Sequence, residues 1–185
     1  MFSIFGDGVC IYNDTWPSES FKALSPKLTL AVNSAGILEV TLPQGNAGYE
    51  TLERLKSEIS VRRDGEEIWS GRIISERMDF QNSRILTCEG ELAYLNDTTQ
   101  PPTEFPPMTI REYMVALISV HNSKVDPSMQ FTVGSVTFSD MVTRFTDNHT
   151  TIGALGELVN EFGGHLRIRK VNGVRTLDYL ALFTQ

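Results

Sequence analysis

The residues able to do chemistry here are three histidines, two cysteines and several neighbouring carboxylates. His121, His149 and His165 stand in no His-Glu-x-x-His pattern, and Cys10 and Cys88 form no Cys-x-x-Cys, the spacings that bring two ligands to one metal. His121 lies near the end of an expected helix, where a positive charge is welcome. His149 lies in a polar loop and His165 opens a strand. Cys88 sits mid-strand with no histidine nearby in sequence to form a thiolate. Both cysteines read as small packed hydrophobes, with a shared disulfide as the alternative.

The carboxylates come closer to a catalytic pattern. Glu89 and Glu91 fall on one face of an expected strand, Glu157 and Glu161 on one face of an expected helix, with Asp140 and Asp147 between. Paired acids can hydrolyse a glycosidic bond, but on an acidic chain they read more simply as solvated faces. No Gly-x-Ser-x-Gly elbow marks an activated serine. Gly6-Asp7-Gly8 lacks the Lys-Ser/Thr ending of a phosphate loop, and Gly163-Gly164 ends a helix rather than opening one. The reading therefore assigns no catalytic, cofactor-binding or metal-ligating residue.

The elements that would position such residues are mostly strands. Ile59 to Leu95 reads as a three-stranded antiparallel meander, turned at Asp64-Gly65 and at Gln81-Asn82-Ser83. Its long middle run contains Gly71, where a bulge or bend is expected. Two hairpins precede it: Phe2 to Tyr12 around Gly6-Asp7-Gly8, and Lys27 to Leu42 around Asn33 to Gly36. A polar loop holds Trp16-Pro17. Tyr49, Leu52 and Leu55 have the spacing of a short helix. Asn96 to Pro107, with two proline pairs, reads as an extended connector.

Beyond it, Thr109 and Glu112 form a capping box for a helix whose apolar face is Ile110, Tyr113, Met114, Leu117 and Val120. Phe131 to Phe138 alternates as a strand. Thr151 is placed to cap a second helix, Ile152 to Phe162, which Gly163-Gly164 ends. A closing hairpin turns at Asn172-Gly173 and returns from Val174 to Phe183. The fold expected is α+β and mainly β: an antiparallel β-barrel over residues 1–100, then a smaller subdomain over 101–185 with two helices and a C-terminal hairpin.

Composition sets outer bounds. With 41% hydrophobic and 21% charged residues over 185 positions, the chain suits one large or two small globular domains. A net charge of −7 argues against tight wrapping of nucleic acid, which needs a basic face. No apolar run reaches membrane-spanning length. Met1 to Asp7 lacks the basic start and apolar core of a signal peptide, so a cytosolic origin is expected.

Several stretches together resemble a known family. Leu24-Ser-Pro-Lys-Leu28, Leu38-Glu-Val-Thr-Leu-Pro43 and Arg63-Asp-Gly-Glu-Glu-Ile-Trp-Ser-Gly-Arg72 are similar to the N-terminal region of siphophage and prophage tail proteins, the tail-associated lysins or prophage tail endopeptidases. Cys88 to Asp97, Gln100-Pro-Pro102, His121 to Lys124 and Gly163 to Lys170 extend the likeness over nearly the whole chain. That family region is similar to the baseplate hub of contractile-tailed phages.

The resemblance implies a homotrimeric ring of tube-type barrels at the virion tail tip, or in a lysogenic host's cytoplasm during assembly. The ring joins the tail tube to tip structures, and its partners are the distal tail and tape-measure proteins. DNA passes through the lumen without specific binding. No cofactor and no membrane contact are implied. A peptidoglycan-cleaving module, where present, lies C-terminal to this region, and the family's polypeptide returns to complete a second barrel. One edge, near Val174 to Phe183, is therefore expected to be unpaired, with Ala181 to Gln185 marking a truncation. The alternative readings are the N-terminal part of a tail endopeptidase and a tail-tip receptor- or carbohydrate-binding module.

Overall fold

The computed structural model of the chain describes residues 1–15 and 18–182. The expected loop at Trp16-Pro17, the end of the last strand at Phe183 and residues 184–185 lie outside them. The chain forms two compact units, Met1–Glu91 and Leu92–Gln185.

The first unit is a seven-stranded sheet of β1 (Phe2–Gly6), β2 (Val9–Asn13), β3 (Leu24–Thr29), β4 (Ile37–Leu42), β5 (Glu58–Arg63), β6 (Glu66–Met78) and β7 (Arg84–Gly90). Its order is β2-β1-β5-β6-β7-β4-β3, antiparallel throughout. Two-residue turns set the register at Asp7-Gly8 and Asp64-Gly65, where all four residues have positive φ (48° and 80°, 52° and 88°). These are the left-handed conformations that tight hairpins require.

Alternation along each strand gathers Ile4, Ile11, Leu38, Leu42, Ile59, Val61, Ile73, Leu86 and Cys88 into one buried cluster. Residues from β2 at one end of the order and β4 near the other share this core, so the sheet curls around it. Each large side chain removed from water contributes about 1.5–3 kcal/mol. A closed barrel, the expectation from sequence, does not appear. β2 and β3 remain the two ends of the order, and among the described residues no ladder joins them.

Both ends are blunted. β2 is short, and its pairing shifts register as Ile4 and Phe5 oppose Tyr12 and Cys10, leaving Ile11 as the extra residue. β3 contains Pro26, and its pairing shifts between Leu24 and Lys27, with Ser25 at φ 49°. Bulges, proline and lysine on an edge discourage pairing with another strand.

Three local expectations are corrected. Gly71 is not a bulge: it pairs regularly with Ile59 and Gly90, and the shifts in β6 fall between Val61 and Arg62 of its β5 partner and between Ile73 and Ser75. Glycine is needed at 71 because a Cβ there would lie 2.0 Å from the Glu89 carbonyl oxygen. The third meander strand stops at Gly90, and Glu91–Asn96 winds as a 3-10 turn. Tyr49 to Lys56 is a series of turns, with Leu55 at φ 62°, not a helix. Its Tyr49 and Leu52 are buried because they pack as plugs on the sheet.

The second unit holds β8 (Thr103–Thr109), α1 (Ile110–Asn122), β9 (Phe131–Val136), β10 (Met141–Thr146), α2 (Thr151–Phe162), β11 (His165–Val171) and β12 (Val174–Leu180). β8 pairs with β10, and β11-β12-β9 form a second small sheet in which β9 runs parallel to β12. The connector expected from Asn96 to Pro107 is therefore partly a strand. β8 tolerates Pro106-Pro107 because it has one partner only, and the ladder skips them: Phe105 pairs with Arg144 and Met108 with Val142.

The capping box of α1 forms as expected, with the Glu112 N–H donating to Thr109 Oγ1 (3.2 Å) and the Thr109 N–H to the Glu112 carboxylate (2.8 Å). Ile118 and His121 are buried on this helix beside Tyr113, Met114 and Leu117, while Val120 is only half-buried. α2 is capped one residue earlier than expected, by Thr150, whose hydroxyl accepts from the Gly153 N–H. The expected open edge near Val174 is also overturned, since β12 is the central strand, bonded on both sides.

Candidate interaction surface

The residues singled out for chemistry are scattered through both units rather than gathered into one site. His121 is fully buried within α1, His165 is buried at the start of β11, and the half-exposed His149 lies 3.5 Å from Glu157. Among the described residues no three His, Cys, Asp or Glu side chains are grouped to hold a metal. Cys10 and Cys88 are free thiols on separate strands. Burial pushes the Cys88 thiol up to about 12, far from the thiolate that a nucleophile needs.

The carboxylate pairs dissolve likewise. Glu89 accepts from Arg72 Nε (2.9 Å) and Nη2 (2.7 Å), whereas Glu91 begins the 3-10 turn and is buried, so the two do not share a strand face. Glu157 faces His149 and Glu161 is bound by Arg144. Asp140 and Asp147 flank β10, where Asp140 offers its carbonyl to the Ile110 N–H and Asp147 its carboxylate to the Asn148 amide.

What stands out instead is an apolar loop tip. Phe80, between β6 and β7, is 94% exposed, and Met78 beside it is 54% exposed. The turn that carries Phe80 is held firmly. The Asp79 carboxylate accepts from the Gln81 N–H (2.8 Å) and the Ser83 N–H (2.9 Å), and the Asp79 N–H donates to the Ser83 carbonyl (3.0 Å). Asn82, at φ 57°, completes the turn, and the Tyr49 hydroxyl donates to its carbonyl (2.6 Å). Below the turn, Arg84 bonds the Tyr49 and Leu52 carbonyls and pairs with Glu76.

A phenylalanine displayed in water on a fixed turn forgoes the transfer energy that burial would return, and its two side-chain torsions cost little entropy to order on binding. Those are the properties of an anchor residue at a protein interface. The β3–β4 hairpin adds Leu30 (57% exposed), Val32 (59%) and Ile37 (48%). Its base is fixed by Trp69, whose buried indole N–H donates to the Ala35 carbonyl (3.0 Å). In the second unit, Met141 and Phe145 form an exposed apolar face on β10. Sequence reading passed over Phe80 because one aromatic in a polar turn carries no periodic signal. Met141 to Thr146, Met-Val-Thr-Arg-Phe-Thr, does not alternate in sequence, and only its burial shows the two faces of a strand.

No protein-family model and no curated protein matches this sequence. Solved structures do match the fold. A tail protein from Neisseria meningitidis MC58 superposes with a TM-score of 0.58 at 15% identity, over 95% of this chain and 50% of its own. The 43 kDa tail protein of prophage MuSo2 from Shewanella oneidensis gives 0.57 at 13%, over 95% and 53%. The E. coli c3393 protein gives 0.52 at 10%, over 96% and 44%; it is a component of the type VI secretion system with structural similarity to T4 bacteriophage tail proteins gp27 and gp5. This chain thus has the fold of phage and prophage tail proteins and spans about half the length of the structures it matches.

Proposed function

We propose that this chain is a structural component of a phage or prophage tail tip, part of a hub ring that joins the tail tube to tip structures. The observation that carries this reading is the fold match to tail proteins, which runs over 95% of the chain. On this reading the curled sheet is the wall of a tube-type hub domain. The tail tip is its location, and distal tail and tape-measure proteins are its partners. On this reading the chain contributes binding surface and no catalysis: Glu89 is held by Arg72, Glu161 by Arg144, and His121 is enclosed.

Subunit contact is assigned to loop tips rather than to strand edges. The end strands β2 and β3 are bulged, whereas Phe80 is displayed on a fixed turn. Rings of identical subunits close through heterologous contacts, in which one surface of a subunit meets a different surface of the next. Light scattering on the protein with its distal tail and tape-measure partners tests the proposal. Trimers are expected. A chain that stays monomeric in their presence, or that cleaves purified peptidoglycan, overturns it.

A further inference from the structure

His121 has no surface exposed to solvent, and both ring nitrogens are engaged. Nε2 lies 3.2 Å from the Met129 carbonyl oxygen, which can only accept, so Nε2 carries the proton. Nδ1 is then the acceptor of a hydrogen bond that the Thr98 hydroxyl donates at 2.7 Å. The direction propagates. Thr98 Oγ1 lies 2.8 Å from the Thr151 hydroxyl, which donates to it and itself accepts from Gln100 Nε2 at 2.7 Å. One neutral tautomer of one ring thereby ties together the Thr98–Gln100 segment, the last turn of α1, the first residue of α2 and the Pro127–Met129 turn.

We propose that His121 is an acid-sensitive latch of the second unit: proton uptake by its ring places an uncompensated charge in the interior and loosens the Thr98 segment and the Pro127–Met129 turn from α1. A second ring proton would sit on Nδ1, facing a hydroxyl that must then turn and donate to Thr151. No carboxylate is bonded to the ring. Asp97 is the acid whose charge favours the imidazolium. Other charged groups on the packed elements are engaged elsewhere: Lys124 on the Thr99 carbonyl (2.6 Å), Asp126 on the Ser128 N–H (2.9 Å), His149 near Glu157 and Arg175 on the Ser128 carbonyl. The Phe131 ring covers the imidazole edge-on at 5.6 Å.

Burial accordingly holds the His121 pKa below its ordinary value, against the pull of the Met129 carbonyl and Asp97. The partial negative charge at the end of α1 does not reverse this, because desolvation of a fully buried cation outweighs a dipole worth at most about 2 kcal/mol. Above the unfolded value of about 6.5 the ring is neutral in both states and the latch is closed. As pH falls below that value the unfolded state takes up a proton that the folded state refuses. The opening constant then rises by up to about tenfold per pH unit until the folded pKa is reached.

Nitrogen-detected NMR of the imidazole rings in the intact protein tests this directly. The expected result is an Nε2–H tautomer for His121 that persists well below pH about 6.5. A ring that titrates at or above that value overturns the proposal. Amide exchange in α1 and at the Ser128 and Met129 N–H groups gives a second readout. The acid-induced increase in its opening constant, the exchange rate divided by the intrinsic rate at the same pH, should vanish in His121→Gln and survive in His149→Gln and His165→Gln. Persistence of the increase in His121→Gln also overturns it. The ring titration needs no variant, so it decides the matter even where a substitution prevents folding.

Discussion

Gly71 and Gly90 face each other across β6 and β7, and neither site has room for a Cβ: the nearest atoms would be the Glu89 carbonyl oxygen at 2.0 Å and the Ala35 carbonyl oxygen at 1.8 Å. Both obstructions are backbone, which cannot rotate away as a side-chain end can. Gly71→Val is therefore expected to destabilise the first unit by about 3 kcal/mol, despite valine's preference for strands. Gly156→Ala, in α2 with nothing within 4 Å of the added atom, should stabilise by about 0.5–1 kcal/mol. Urea melts of the two variants against the parent check both, and a Gly71→Val protein as stable as the parent refutes the close-approach account.

Asp178 on β12 is completely buried, and burial opposes its charge. Arg169 Nε at 2.7 Å, the Ser135 N–H at 2.7 Å and Arg167 Nη2 at 2.9 Å outweigh that penalty and bring the carboxyl down to about 2. With a folded pKa below the unfolded 3.8, the contribution is present above pH about 4 and is lost as pH falls towards about 2. It amounts to about 2 kcal/mol. Asp178→Asn should lower stability by that order at neutral pH and flatten the acid limb of a stability–pH curve. An unchanged acid limb would remove the clamp from the account.

Phe80→Ser should leave the melting temperature within about 1 °C of the parent, since a side chain 94% exposed contributes little to the fold. The same substitution should weaken subunit association at least tenfold, the loss expected of an interface anchor. Analytical ultracentrifugation with the distal tail protein proposed above as a partner separates the two effects. Full association by the Phe80→Ser protein would move the contact elsewhere.

Cys88 should resist thiol reagents in the folded protein, because it is wholly buried and its thiol is held at about 12. Labelling with a chromogenic disulfide should reach Cys88 only on unfolding, and reducing agents should leave stability unchanged. Rapid native labelling at Cys88 would show that the sheet opens locally.

The sequence made the hairpins legible where turn chemistry is local. Asp7-Gly8, Asp64-Gly65 and Asn172-Gly173 need positive φ at adjacent residues, and all six have it. The α1 capping box was readable for the same reason. Legibility failed where partners are distant. Pro106-Pro107 looks like a connector until β10 supplies a one-sided partner. Thr151 looks like a cap because threonine serves both purposes, and only the position of Thr98 decides that it faces inward. Sheet closure depends on strands at the two ends of the order, which no local pattern encodes. No local pattern marked the candidate surface; that Phe80 is the displayed residue follows from the Asp79 turn beneath it.

The central place of β12 has a consequence for synthesis on the ribosome. The first unit is contiguous in sequence and can fold once its last strand, β7, has emerged. In the second unit, β9 finds its parallel partner only when residues 174–180 are out, some forty residues after it. During that interval the apolar side of β9, with Phe131, has α1 alone to cover it. Nascent chains arrested before β12 should therefore be the ones that recruit chaperones, while those carrying it should be protease-resistant throughout.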